Sequence, residues 1–433
     1  MDIKTSFIFG QSSYASLIRH NNMMVETFAR TPRPRIRDLG YAPGNFSPGP
    51  ANSITDVPGV TVGQVTLHDA SKNIHTGVTV ILPRGKDTLD IPCYAGTHNL
   101  NGMGELTGAH PVNEWGYVNM PIAFTNSVSV GKVYDALIRW EIETLRKKYG
   151  DGEEGDAKAG RRQGIPLVGE TYDGMLNDLL HSAVEREHVE EAVRLAEGGK
   201  EEVKEGNHGG GTAMCSHGYK SGTGTSSRII PGFDTAGKQK DYTLGVIVQA
   251  NFGQKPDLRI GNVPVGKLLV KDEQQGVQVS ASSKDGAPLP VGGKAAEGSI
   301  LVLIITDAPL LPHQLRRLAQ HAGVGIAQVG GHAAGRNLSG EIFLALSTGT
   351  SPDRLAEHSN GNGYLPQLES QGVGTVLNET IDSLFYAVSE TTEEAILNAI
   401  CRAETLKGFR GRTVRGIPVD RVKELLEKYM VVV

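Results

Sequence analysis

This sequence predicts a mixed α and β fold, an α/β (α+β mixed) class in which helices cover apolar sheets, and three observations predict it. Apolar, β-branched runs recur at residues 60–65, 78–82, 242–250 and 299–306, as buried strands require. Between them lie stretches with helical spacing, such as 128–149, where Val130, Val133, Leu137 and Trp140 share a face. The 433 residues include 55 glycines, well above the usual ~7% share. These cluster between the apolar runs and imply tight turns and close backbone approaches.

In chain order, residues 1–34 read as a flexible N-terminal extension that ends in the turn-rich Thr31, Pro32, Arg33 and Pro34. It has a short apolar piece but no long hydrophobic core of a signal segment and no clear cleavage site. Short strands alternate with glycine turns through 54–83, and a helix follows at 128–149. Residues 150–160 are polar and glycine-rich, which predicts a mobile loop. A strand resumes at 165–168, and 176–197 reads as a helix with a charged outer face. Residues 206–225 are dense in glycine, 242–250 form a central strand, and 273–297 form an exposed polar linker. The strand at 299–306 is apolar on both faces. After it come a helix at 311–321, a strand at 341–347, interrupted helices within 375–406 and a final helix at 419–429.

Composition narrows the function. A net charge of −5 without a basic stripe gives no support to nucleic-acid binding. The longest apolar run, 300–305, is far too short to cross a membrane. Cys93, Cys215 and Cys401 are odd in number and far apart, which suits reduced thiols and a cytoplasmic location. His98, His110, His208, His217 and His332 lie near glycines but form no zinc spacing, so neither a metal nor a cofactor is expected. The glycine loops at 209–212 and 222–227 could cradle an anion, yet neither is a Walker A or dinucleotide-binding sequence.

The chemistry concentrates at Gly298–Ser299. Glycine, then serine, then a buried strand is the layout for an internal cut that frees a serine with its own α-amine. That amine can act as the general base for the hydroxyl beside it. Ser339 and Glu341, at the start of another strand, share a face at a spacing of two, so the carboxylate can orient the hydroxyl.

Several motifs occur in a fixed order: AGTHNLNGMGE at 95–105, ETYDG at 170–174 with LND at 176–178, VQANFG at 248–253, EGSI at 297–300 with TDAP at 306–309, and SGE at 339–341. Together they closely resemble the self-processing serine aminopeptidases of the DmpA and β-peptidyl aminopeptidase family, from about Arg35 to about Lys428. The resemblance implies a four-layer αββα sandwich, a homotetramer, and a single catalytic domain at 35–433 cut into an α chain 1–298 and a β chain 299–433. It implies Ser299 as nucleophile, Ser339 and Glu341 as the pair that holds and polarises it, and Asn251 as a donor to the oxyanion. It further implies Tyr172 as a pocket-lining donor and Glu170 as the acid that receives the substrate's free amino group. The expected function is removal of N-terminal amino acids, D- and β-amino acids included, from peptides, amides or esters through an acyl-enzyme. An acyltransferase of the related ornithine acetyltransferase type is the competing enzyme; that relative uses a threonine nucleophile. A non-enzymatic glycine-rich ligand-binding protein is the other alternative. The N-terminal extension, the 150–160 loop and a long linker before Gly298 depart from the family core.

Overall fold

The computed structural model describes residues 32–160, 162–276, 298–352 and 367–431, within a body that spans Arg33–Val433. Its first half runs β1 (Thr61–Asp69), β2 (Ile74–Leu82), β3 (Cys93–Gly102), α1 (Ala109–Trp115), β4 (Tyr117–Val118), β5 (Ile122–Asn126), α2 (Val130–Tyr149), α3 (Glu153–Gly160), β6 (Leu167–Thr171) and α4 (Arg186–Gly198). A short hairpin, β7 (Cys215–Ser216) and β8 (Tyr219–Lys220), precedes β9 (Thr223–Phe233) and β10 (Gln239–Asn251). Then come α5 (Val265–Gln274), β11 (Ser299–Thr306), α6 (Pro312–Gly330), β12 (Gly340–Ser347), α7 (Asp382–Arg402) and α8 (Val419–Tyr429).

Two large sheets result. One has strand order β1-β2-β5-β6 and the other β4-β3-β12-β11-β10-β9. Within the larger sheet β11 and β12 run parallel, while β10 and β3 flank them antiparallel. The burial of β11 explains its unbroken apolar sequence. Leu301, Leu303 and Ile305 pack against Ile81, Ile122, Phe124 and Leu167 of the smaller sheet. Ile300, Val302 and Ile304 face the other way, toward Leu315, Leu318 and Ala322 of α6 and Val388, Ala395 and Ala399 of α7. A strand covered on both faces has no polar side to alternate with. Each such side chain contributes about 1.5–3 kcal/mol relative to exposure.

On the far side, Val78, Val80, Ala123 and Val168 of the smaller sheet carry Val133 and Leu137 of α2 and Val189 and Val193 of α4. The packing order is therefore helix, sheet, sheet, helix, as the αββα expectation requires.

Several local expectations change. The 150–160 loop contains α3: Glu153, Glu154 and Asp156 occupy its first turn, where they complement the helix dipole, and Lys158 pairs with Glu154. The helix expected from 176 starts only at Arg186, because Asp173 and Asn177 anchor the preceding stretch by side-chain hydrogen bonds. The helix after β11 continues to Gly330, nine residues past the expected end. Gly323 and Gly325 look like stops in the sequence. A Cβ on Gly325, however, would lie 2.6 Å from Ser389 O of α7, so this glycine marks a helix contact. Residues 382–402 form one helix instead of interrupted pieces. The glycine turn Gly209–Gly211 is no anion cradle: it is buried, and a Cβ on Gly210 would lie 2.1 Å from Gln249 Oε1.

The extension expected at 1–34 lies outside the described residues up to position 31, and Arg33 already belongs to the body, donating to Cys401 O at 2.8 Å. The linker expected at 273–297 also lies outside the described residues from 277 onward; Glu273 and Gln274 end α5.

Candidate functional site

Ser299 opens β11 opposite Asn251, the last residue of β10, and Ile300 is in register with Glu341 on β12. Three strand ends thus bring Ser299, Asn251, Ser339 and Glu341 to one place, all buried. The Ser299 hydroxyl oxygen accepts the Gly340 N–H at 3.2 Å. Ser339 Oγ bonds to the Gly298 carbonyl oxygen and to Glu341 Oε1. A hydroxyl has one proton, so both contacts are satisfied only when a protonated Glu341 donates to Ser339 and Ser339 donates to Gly298. Burial is the largest influence on the Glu341 carboxyl and pushes it above its ordinary value. The other oxygen, Oε2, has no partner among the described residues.

A β-bulge between Glu341 and Ile342, against β3, sets the local twist at this point. Asn101 of β3 fixes the loop from the other side, donating to Ser339 O and, at 2.9 Å, to Arg336 O. Gly298 is glycine for a steric reason. A Cβ there would lie 1.6 Å from Asn251 O.

The Asn251 carboxamide is held at both ends. Its Oδ1 accepts Cys215 N–H at 2.9 Å and its Nδ2 donates to Tyr172 O at 2.9 Å, which among the described residues leaves one Nδ2 hydrogen free. Tyr172 is present through its carbonyl. Its half-exposed ring folds over Gly174, where a Cβ would meet the hydroxyl oxygen at 2.4 Å, and that hydroxyl makes no hydrogen bond among the described residues.

Glu170, near the end of β6, sits beside the turn that follows β3. Ser127 Oγ donates to its Oε2 and Glu105 N to its Oε1 at 3.3 Å. A Cβ built on Gly104 would lie 3.4 Å from Glu170 Oε1 and 3.7 Å from Gly340 Cα, which puts the carboxylate on the Ser339–Glu341 side of the site. Burial raises its pKa, and the Ser127 and Glu105 hydrogen bonds oppose the rise.

Three supporting groups carry no assignment in the sequence analysis. Asp173 accepts from Thr76, Asn126 and Asn177 at 2.8, 3.0 and 3.1 Å and is pushed up to about 6 by burial. It anchors the loop that carries Tyr172. Asn101 and Asp173 both lie inside the motifs at 95–105 and 170–174, which was the available signal. Ser127 lies in no motif. Among the described residues, no cluster of His, Cys, Asp and Glu is arranged to hold a metal.

A buried serine, a hydroxyl on the preceding carbonyl, a carboxamide donor and a carboxylate at one end suit acyl transfer from an amine-bearing substrate. The model for peptidase family S58 matches residues 52–414. The chain is 40% identical over 418 residues to beta-peptidyl aminopeptidase BapA of Sphingosinicella microcystinivorans, covering 94% of this chain and 95% of that one. A Burkholderia sp. beta-aminopeptidase structure is 40% identical and covers 92% of this chain and 100% of its own, with a TM-score of 0.76. The L-aminopeptidase D-Ala-esterase/amidase of Ochrobactrum anthropi, described as a prototype for the serine aminopeptidases and a variant of the Ntn hydrolase fold, is 35% identical with a TM-score of 0.74. It covers 92% of this chain and 99% of its own.

Proposed function

The chain belongs to peptidase family S58 and is a serine aminopeptidase acting on peptide substrates; from that premise we propose that it cuts its own Gly298–Ser299 bond and then uses the freed Ser299 as nucleophile. One observation carries the proposal: Ser339 Oγ is hydrogen-bonded to the carbonyl of Gly298, the bond next to the Ser299 hydroxyl. In self-cleavage, Ser299 Oγ adds to the Gly298 carbonyl carbon while Ser339 polarises the oxygen. The C–N bond breaks, the nitrogen takes the hydroxyl proton, and an ester remains. Water then hydrolyses that ester, leaving a Gly298 carboxylate and a Ser299 α-amine.

In turnover, the amine accepts the Ser299 hydroxyl proton and Oγ attacks the substrate carbonyl. The free Nδ2 hydrogen of Asn251 goes to the developing oxyanion, a role worth about 3 kcal/mol for one such donor. The leaving amine takes the proton, and water resolves the acyl-enzyme. Glu170 pairs with the substrate's ammonium and so limits the reaction to N-terminal residues. Tyr172 lines the same pocket and fixes Asn251 through its carbonyl. The relatives' names support amides of L-, D- and β-amino acids as the substrate class. The proposal extends to a homotetramer of αβ units in the cytoplasm.

A panel of L-, D- and β-alanyl p-nitroanilides beside their N-acetylated forms tests this. The free-amine amides are expected to turn over and the acetylated ones to fail. Equal turnover of both would refute the Glu170 assignment.

A further inference from the structure

Lys220 is a fully buried ammonium that these steps leave unused. It lies on β8, paired across the hairpin with Cys215 of β7. Its Nζ donates to Met214 O at 2.9 Å and to Ser221 O at 2.5 Å. Both acceptors are peptide carbonyls, and among the described residues no ion pair joins it to a carboxylate. A buried cation without a counter-ion is costly, so this placement calls for a physical reason.

Met214 O and Cys215 N–H belong to one peptide group. That N–H donates to Asn251 Oδ1 at 2.9 Å. The order is therefore ammonium, peptide, carboxamide, and then the free Nδ2 hydrogen. In such a line each bond polarises the next. Positive charge on Met214 O strengthens Cys215 N–H as a donor. That in turn draws electron density onto Asn251 Oδ1 and leaves Nδ2–H the better donor.

We propose that Lys220 is a positioning residue for the hydrolytic reaction, a buried positive charge that orients and strengthens the Asn251 carboxamide through the Met214–Cys215 peptide. The proposal rests on the oxyanion role of Asn251 given above.

The groups around Lys220 isolate its effect. Facing it are Cys215 from β7, His75 from β2, His208 from the turn before the hairpin, and Arg415, whose carbonyl accepts Lys220 N–H at 2.7 Å. Burial brings Lys220 down to about 8, against a weaker pull from Cys215. Burial pushes Cys215 up to about 11. It brings His75 down to about 4, helped by His68 and Lys220, and it also lowers His208. Of Lys220, Cys215 and His75, Lys220 is the one that changes charge in the mildly alkaline range.

The test is a double-mutant cycle on the processed enzyme, using the best p-nitroanilide of the panel above. Wild type, Lys220→Met, Asn251→Ala and the double variant are compared for kcat, KM and thermal midpoint. Lys220→Met is expected to lower kcat about tenfold with little change in KM, and to cost almost nothing further in the Asn251→Ala background. Wild-type kcat, read at saturation so that the substrate's own amine does not enter, is expected to fall on an alkaline limb that Lys220→Arg moves upward. An equal loss from Lys220→Met in both backgrounds, or no loss, overturns the proposal. Asn251→Ala with wild-type kcat would instead sink the oxyanion role itself. Should Lys220→Met fail to fold, an alkaline limb that is absent in wild type or unmoved in Lys220→Arg overturns the proposal on its own.

Discussion

Arg228 and Lys220 are both fully buried cations on neighbouring parts of the same fold, and they keep opposite company. Arg228 on β9 meets carboxylates, Glu394 Oε2 at 2.8 Å and Glu390 Oε2 at 3.3 Å, and also donates to Ser227 O at 2.7 Å and Pro43 O at 2.8 Å. Arg37 pairs with Glu394, and Tyr41 donates to Glu393 at 2.6 Å. Burial would raise Glu394, but Arg37 and Arg228 hold it below its ordinary value, whereas burial carries Glu393 up to about 7. Among the described residues, the Lys220 ammonium meets only peptide carbonyls. The contrast separates two uses of a buried charge. Matched by carboxylates, it locks the segment after Arg33, β9 and α7 to one another. Matched only by carbonyls, it leaves a field directed along the peptide that leads to Asn251.

The largest expected effect breaks the matched network. Arg228→Met leaves Glu390 and Glu394 without their buried cation and should cost about 3–5 kcal/mol. The thermal midpoint should drop sharply while kcat per folded molecule holds. An unchanged midpoint would erase the distinction between the two cations. Lys220→Met should show the reverse pattern, a loss of about tenfold in kcat with a smaller fall in midpoint.

Ser127→Ala should have the smallest effect. It removes a donor from Glu170, worth about 1 kcal/mol, so KM should rise a few-fold with kcat unchanged. The sign of the pH effect follows from burial, which already raises Glu170 against the Ser127 hydrogen bond. Without that bond the carboxyl moves further up. Because the ionised form binds the ammonium, KM should begin to rise at a higher pH as the medium is acidified. Superimposable KM–pH curves for wild type and variant would contradict this.

What the sequence made legible follows from range. β11 was readable because burial on both faces leaves a continuous apolar run, and Ser339 with Glu341 because a spacing of two is a local rule. α7 was misread as interrupted because Glu390, Thr391, Glu393 and Glu394 look like a break. Their partners Arg228, Arg37 and Tyr41 are more than a hundred residues away. Asn101 and Ser127 escaped for a related reason: each acts on a residue that only the pairing of strands brings near. Lys220 acts within its own hairpin, on backbone carbonyls that no side-chain pattern reports. Tyr172 was identified by its motif, but its contact with Asn251 runs through the backbone, which no side-chain pattern reports.

The Gly298–Ser299 bond is where the account is most exposed. Intact-mass measurement of the purified protein, with N-terminal sequencing, should give two fragments of roughly 32 and roughly 14 kDa, apportioning 46.2 kDa at Gly298, with the smaller one beginning at Ser299. Ser299→Ala should give a single, inactive chain. An uncut wild-type chain with full aminopeptidase activity would contradict both the self-cleavage and the nucleophile assigned to it.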